Sequence, residues 1–186
     1  MPIVAAKDAT PSAGTCTGPA VDTEHVLSVW YDAEHNLKGT PEAPGMQAPT
    51  GPEVTLPIGK PADAMTTAGV TQTVTAVFAC FAAGDFPTAL GYFTDKLTAS
   101  FGPEMGVTYE QAQEFLSATP TPDPSQNALV SVSNVMTLDD GRAGAFVIER
   151  LSSGDDIGSY AIFVKDGDLW KVDEIFDFPS VDDTSG

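Results

Sequence analysis

The sequence predicts an α+β fold in which cone-like helices pack on a curved four-stranded antiparallel sheet. Three observations carry this prediction. Residues 70–97 contain apolar stripes at helical spacing, the corner Gly84-Asp85-Phe86-Pro87 interrupts them, and strand-like segments follow further along the chain. Helices that precede an antiparallel meander are typical of a layered domain with one main pocket between helices and sheet.

The domain itself is predicted over residues 64–178, between an extended N-terminal arm at 1–63 and an acidic tail at 179–186. The first part of the arm is small and polar, which is typical of a segment without a core of its own. Residues 39–63 are rich in proline, which predicts an extended linker with polyproline character.

A short helix is expected within the arm, over residues 22–36. Asp22 or Thr23 would be its N-cap. Trp30 and Tyr31 are too apolar to remain in water, so we expect them to dock on the main domain.

The first helix of the domain is predicted over residues 66–83. Thr66 or Thr67 is a suitable N-cap, and Gly84 suits the position just after the helix. Its apolar residues fall on one face at helical spacing: Val70, Val74, Val77, Phe78 and Phe81.

Two more helices are predicted before the strands. Pro87 fits the first turn of the second helix, with Asp85 as its cap, and Gly102-Pro103 would end it. Thr108 opens the third helix with the capping-box sequence Thr108-Tyr109-Glu110-Gln111. The second helix has an apolar stripe made of Leu90, Phe93, Leu97 and Phe101.

Four strands are predicted over residues 130–138, 144–151, 159–165 and 169–176, joined by tight turns that contain Gly or Asp. The first alternates apolar and polar side chains, as a half-buried strand does. The middle strands are apolar on both faces. We therefore expect helices on one face of the sheet, and a partner, a second copy or the arm on the other.

The strong negative charge limits the possible partners. The chain has 26 acidic residues against 8 Lys and Arg, a formal net charge of −18. Nucleic acid is excluded as a general partner because no basic patch could neutralise its phosphates. No apolar run approaches the roughly 18 residues of a membrane span, so no membrane insertion is expected.

Cys16 and Cys80 are the two cysteines of the chain. An even number in an acidic chain favours one disulfide and an oxidising compartment. The bridge would tether the arm to the domain. We therefore predict an extracellular or cell-surface location, with an export signal removed. Two separate buried thiols in a cytoplasmic protein are the alternative.

Two stretches resemble a known superfamily. VFACFAAGDFPTALGYFTDKL, residues 77–97, and GDLWKV, residues 167–172, are similar to the opening and ending of domains in the nuclear transport factor 2-like superfamily, which includes SnoaL-type polyketide cyclases and ketosteroid isomerases. The resemblance covers about residues 68–178. It implies a cone-shaped α+β domain with one pocket and leaves the function open.

Catalysis in that superfamily would require polar residues that converge inside the cone. Isomerases use a Tyr or acid donor and an Asp base. The candidates here are Tyr92, Tyr160 and Asp173, with packed tyrosines as the alternative. Asp173 and Glu174 should point to opposite faces of the last strand. Neither Arg142 nor Arg150 has an aspartate on each side in the sequence, so the hydrolase Asp-Arg-Asp pattern is not matched.

The pocket is expected to be lined by aromatic side chains, with no cofactor and no metal. His25 and His35 have no third ligand at helical spacing, so they are predicted to be surface histidines. The predicted lining residues are Phe78, Phe81, Phe93, Phe146 and Trp170.

These observations favour a non-catalytic, exported domain that acts as a binding or assembly module. An apolar small molecule and a second copy bound through the sheet face are the expected partners. One alternative is a SnoaL-like isomerase, cyclase or hydrolase that acts on an apolar cyclic substrate. Another is a structural subunit of a surface assembly with exchanged N-terminal arms.

Overall fold

The computed structural model describes residues 16–19, 21–38 and 56–178. The predictions for residues 1–15, for most of the proline-rich linker and for the acidic tail lie outside them. The described chain is an α+β fold. Its elements are α1 Thr23–Trp30, β1 Gly59–Pro61, α2 Ala64–Ala82, α3 Phe86–Leu90, α4 Asp95–Met105, α5 Tyr109–Ser117, β2 Ala128–Leu138, β3 Ala143–Arg150, β4 Asp156–Asp166 and β5 Leu169–Asp177.

The strands form one antiparallel sheet in chain order, β1-β2-β3-β4-β5. The predicted meander is confirmed as β2 to β5, but the predicted number of four strands was wrong. The additional strand is β1, in which Lys60 lies opposite Thr137 of β2. Strand β1 has only three residues, so its sequence shows no alternation that would have predicted it. Its last residue is Pro61, which is tolerated because β1 is an edge strand.

Helix α2 is the central helix of the domain. Asp63 is its N-cap, in place of the predicted Thr66 or Thr67, and accepts a hydrogen bond from the Thr66 N–H at 2.7 Å. The helix has 19 residues and is long and apolar enough to cross a membrane by length and composition alone. Here its buried face, which includes Val70 and Val74, packs on the sheet. Core helices of globular domains meet the same criteria, and the absence of membrane insertion stays a prediction.

The predicted second helix is two helices, α3 and α4, separated by residues 91–94. Phe93 forms a parallel bridge with Val172 of β5, and the Thr94 N–H donates to the Val172 carbonyl at 2.9 Å. These bonds to the sheet take the place of helical bonds. The apolar spacing of the sequence does not reveal this break, because Phe93 would be buried in one continuous helix as well as in two separate helices.

Gly102 does not end α4, which continues to Met105. A Cβ at Gly102 would lie 2.5 Å from Trp30 Cγ, so this glycine lets the indole ring approach the helix. The predicted cap of α3 is confirmed, since Asp85 Oδ1 accepts from the Thr88 N–H at 3.1 Å.

Helix α1 ends at Trp30, earlier than the predicted residue 36. The chain turns there because the Asp32 carboxylate accepts the Asn36 N–H at 2.8 Å, and His35 takes a left-handed φ of 61°. Trp30 is fully buried and donates its Nε1–H to the Thr98 carbonyl at 2.7 Å. The docking of this tryptophan is as predicted.

Cys16 and Cys80 form a disulfide, which confirms the predicted pair. Their Cα atoms are 4.4 Å apart, and Cys80 is fully buried on α2. Next to the bridge, the Tyr92 hydroxyl donates to the Thr17 carbonyl at 2.6 Å. The start of the described chain is thus fixed against α2 and the segment after α3.

The sheet has two different faces. The main core lies on the side of the helices and includes Phe163 and Val172. A smaller cluster on the outer face contains Leu138, Tyr160 and Ile162. The apolar character of the middle strands is explained by these two clusters.

Candidate functional site

An apolar pocket of about 210 Å³ lies between α2 and the helix-facing side of the sheet. Helix α2 forms one wall, because Val74, Val77, Phe78 and Phe81 follow one another at helical spacing. Strands β3 and β4 form the floor with the smaller side chains of Val147, Ser159 and Ala161.

Several phenyl rings line the cavity. The ring centroids of Phe81 and Phe93 are 6.4 Å apart, and those of Phe93 and Phe101 are 5.4 Å apart. Phe78 meets Phe81 edge to face at 6.4 Å. Phe163 on β4 also lines the pocket. These spacings are ordinary for packed aromatic pairs, so the rings fix one another's positions.

One end of the pocket is polar and acidic. Ser159 lies opposite Val147 on one side and opposite Asp177 on the other, so these three positions form a row across β3, β4 and β5. Glu149 follows Val147 by two residues and shares its face of the sheet. Glu149, Ser159 and Asp177 all line the pocket.

Both carboxyl groups have a perturbed pKa. Burial raises the pKa of Glu149 above its ordinary value, the negative charge of Asp177 raises it further, and a hydrogen bond from Asn127 Nδ2 at 3.0 Å lowers it in part. Burial also raises the pKa of Asp177. Asp177, however, is exposed to solvent. Because Glu149 is half-buried, the effect of burial on the pKa is better supported for Glu149 than for Asp177.

Sequence reasoning did not identify these two acids. Glu149 lies inside the second predicted strand, where no motif marks it as functional, and Asp177 lies just beyond the predicted end of the last strand. The available signal was an acid that directly follows the apolar run AFVI and lies two positions after Val147.

Three of the five aromatic residues predicted to line a pocket do so: Phe78, Phe81 and Phe93. Phe146 does not, because it alternates with Val147 and packs on the outer face against Tyr160 and Phe178. Trp170 does not either. It belongs to the main core and lies against Gly69, near the start of α2.

The structure does not bring the candidate catalytic residues together, and none of the three lines this pocket. Tyr92 holds the N-terminal segment, and Tyr160 is buried on the outer face of the sheet. Burial raises the pKa of both hydroxyls. Asp173 accepts a hydrogen bond from the Thr94 hydroxyl at 2.8 Å.

Asp173 and Glu174 belong to one ion-pair cluster and do not point to opposite faces as predicted. Lys96 Nζ lies 3.4 Å from Asp173 and 2.6 Å from Glu174, and Arg142 Nη1 lies 2.9 Å from Glu174. A register shift between Ile162 and Phe163 interrupts the pairing of β4 with β5 next to these residues. The cluster lies outside the pocket.

The two histidines lie near the surface. His25 Nε2 is 2.9 Å from Asp95 Oδ1, and the His35 ring stacks on Tyr109 with centroids 3.7 Å apart. Among the described residues, no three His, Cys, Asp or Glu side chains are grouped so as to hold a metal ion.

A larger groove of about 600 Å³ runs along the surface between α1, the turn after it and α5. It is shallow and mixed in character, with Thr23, Glu24 and Lys38 among its lining residues. The pocket under α2 is smaller, but it is deeper and more apolar, so it is the better candidate site.

No protein-family model, curated protein or solved structure matches this chain.

Proposed function

We propose that this protein is a non-catalytic, exported domain of nuclear transport factor 2-like architecture that binds a small apolar molecule in the pocket under α2. In this proposal the helices and the five-stranded sheet correspond to the cone of that superfamily, and the pocket corresponds to its interior. The observation that carries it is the aromatic cavity itself, in which Phe78, Phe81 and Phe93 face a floor of small side chains.

The size of the cavity indicates the size of the ligand. An engineered apolar cavity of about 150 Å³ holds benzene. The pocket here has about 210 Å³, so it suits a molecule with one ring and a short side chain. Its apolar walls favour hydrocarbon burial, worth about 25 cal/mol for each Å² removed from water.

The polar groups of the lining support binding more than covalent chemistry. Among the described lining residues, the only side chains with oxygen or nitrogen are those of Glu149, Ser159 and Asp177. None of these described lining residues is a histidine or lysine that could activate Ser159 as a nucleophile. We therefore retain the enzyme only as the alternative, without assigned catalytic residues.

The disulfide and the outer sheet face support the remaining parts of the proposal. A Cys16–Cys80 bridge persists in oxidising compartments, which favours export. Phe146, Ile162 and Phe176 belong to an apolar cluster on the outer face, which is the surface proposed for self-association. Light scattering on the purified protein tests the proposed self-association, and a monomeric mass at high concentration would count against it.

The binding proposal is tested with propylbenzene, a neutral one-ring hydrocarbon of suitable size. We expect saturable binding to one site, followed by NMR of the ligand. Ala161→Leu places a larger side chain on the pocket floor and should abolish it. Phe146→Ala removes a phenyl ring from the opposite face and should leave the affinity unchanged.

Binding that survives Ala161→Leu, or is lost equally in Phe146→Ala, would show that the hydrocarbon does not enter this pocket. A native mass spectrum of the protein purified from its host would then identify the natural ligand class by the mass of any molecule that remains bound.

A further inference from the structure

We infer that the ligand of this pocket carries a positively charged ammonium group, held between Glu149 and Asp177, while its apolar part lies among the phenyl rings. This inference rests on the proposed binding function and names the chemical class of the ligand.

The strand register places the two carboxylates at one end of the cavity. Glu149 on β3 and Asp177 on β5 flank β4, and both line the pocket. Two strand spacings, about 10 Å, separate the strands that carry them. Glu149 pairs with Ile157 and Asp177 with Ser159, so the two acids are also offset by two residues along β4, and the pocket between them leaves room for a ligand group.

In the part of the chain that the structure describes, no cationic side chain lines the pocket to compensate these carboxylates. Among the described residues that line it, none is Lys, Arg or His. The nearby cations of the sheet are engaged elsewhere: Arg142 pairs with Asp140 and Glu174, and Arg150 pairs with Asp156. Two like charges that face one cavity repel each other, and a bound cation would relieve this repulsion.

The aromatic walls favour the same ligand class. A cation is attracted to the face of an aromatic ring, and rings that surround a quaternary or protonated amine are a recurring recognition device. Here Phe78, Phe81 and Phe93 line the same cavity as the two carboxylates. A net charge of −18 on the chain would also attract cations over a longer range.

The donor set does not suit a metal ion. Calcium takes six to eight oxygen ligands, and magnesium requires a near-octahedral set. The lining offers two carboxylates and one hydroxyl beside hydrocarbon walls. An organic ammonium needs only one or two carboxylates and uses the hydrocarbon walls for the rest of the molecule.

The test compares two molecules of equal size, 2-phenylethylamine, which is protonated at pH 7, and neutral propylbenzene. We expect the amine to bind the full chain at least about tenfold more tightly than propylbenzene. In the double variant Glu149→Gln, Asp177→Asn, this preference should disappear while propylbenzene binds as before. The matched control is Glu114→Gln, Asp168→Asn, which removes the same charge from exposed sites. It should keep the preference.

The outcomes separate this inference from the function on which it rests. Equal binding of both molecules, or tighter binding of propylbenzene, would overturn the ammonium inference and leave the apolar pocket intact. Equal loss of preference in both double variants would also overturn it, because the overall charge would then explain the selectivity. If neither molecule binds, the proposed function fails, and the inference fails with it.

Discussion

The disulfide offers the clearest quantitative test of the fold, through the variant Cys16→Ala. Cys16 lies at the start of the described chain, and Cys80 is fully buried in α2. Replacing Cys16 opens the bridge but leaves the sulfur of Cys80 in its packed position. The change in stability then reports mainly the loss of the cross-link.

The sequence separation sets the expected magnitude. The bridge closes a segment of 64 residues. Loop-closure entropy for that length corresponds to about 4 kcal/mol at 25 °C. Cys80→Ala should cost about 1 kcal/mol more, because it also removes a buried sulfur atom. The hydrogen bond from Tyr92 to Thr17 cannot compensate, since one such bond contributes only about 1 kcal/mol.

Urea unfolding at a single pH measures this difference as a change in the extrapolated free energy of unfolding. The slope should be steeper in the variant, because its unfolded chain is no longer held compact by the cross-link. Treatment of the unmodified protein with a reducing agent should reproduce the Cys16→Ala value, and the same treatment should not change the variant. A loss below about 1 kcal/mol would refute the reasoning, because the N-terminal segment would then be held by its other contacts.

Two further predictions concern backbone strain and pH. Gly84 and Gly106 both have a left-handed backbone, with φ values of +67° and +59°. Of the two, only Gly84 lacks space for a Cβ, which would lie 1.9 Å from the backbone oxygen of Thr121. Gly106→Ala should therefore cost about 1 kcal/mol in urea unfolding and Gly84→Ala clearly more, and equal losses would contradict this. Because the fold raises the pKa of Glu149, the native state binds more protons than the unfolded chain between the ordinary and the raised value. The free energy of unfolding therefore falls as the pH rises through that window, and Glu149→Gln should flatten this fall and stabilise the protein at pH 7 more than the exposed control Glu114→Gln does.

Local sequence signals predicted the elements whose structure is decided locally. The stripe of Val70, Val74 and Val77 located α2, because one helix face is enough to bury it. Capping chemistry located the start of α5, where Thr108 and Gln111 exchange the hydrogen bonds of a capping box. Alternation and glycine turns located the four long strands.

Elements decided by tertiary pairing were not predictable in this way. The break after α3 exists because Phe93 pairs with Val172, which is distant in the sequence. The acidic end of the pocket also depends on pairing between residues that are distant in the sequence. Glu149 and Asp177 meet only through two successive strand registers, and no spacing rule within either strand indicates it.

The sizes of the side chains around the pocket bear on why the pocket is not filled. Protein interiors are normally filled, because a sealed void costs about 24 cal/mol for each Å³. This pocket is open to solvent, and its lining residue Asp177 is exposed, so only part of that cost applies here, while its apolar walls stay incompletely packed. The floor residue Ala161 could be enlarged to fill this space without changing the strand pattern. A small floor under large rings, with two carboxylates at one end, is the arrangement that the proposed binding of an amine-bearing apolar ligand requires.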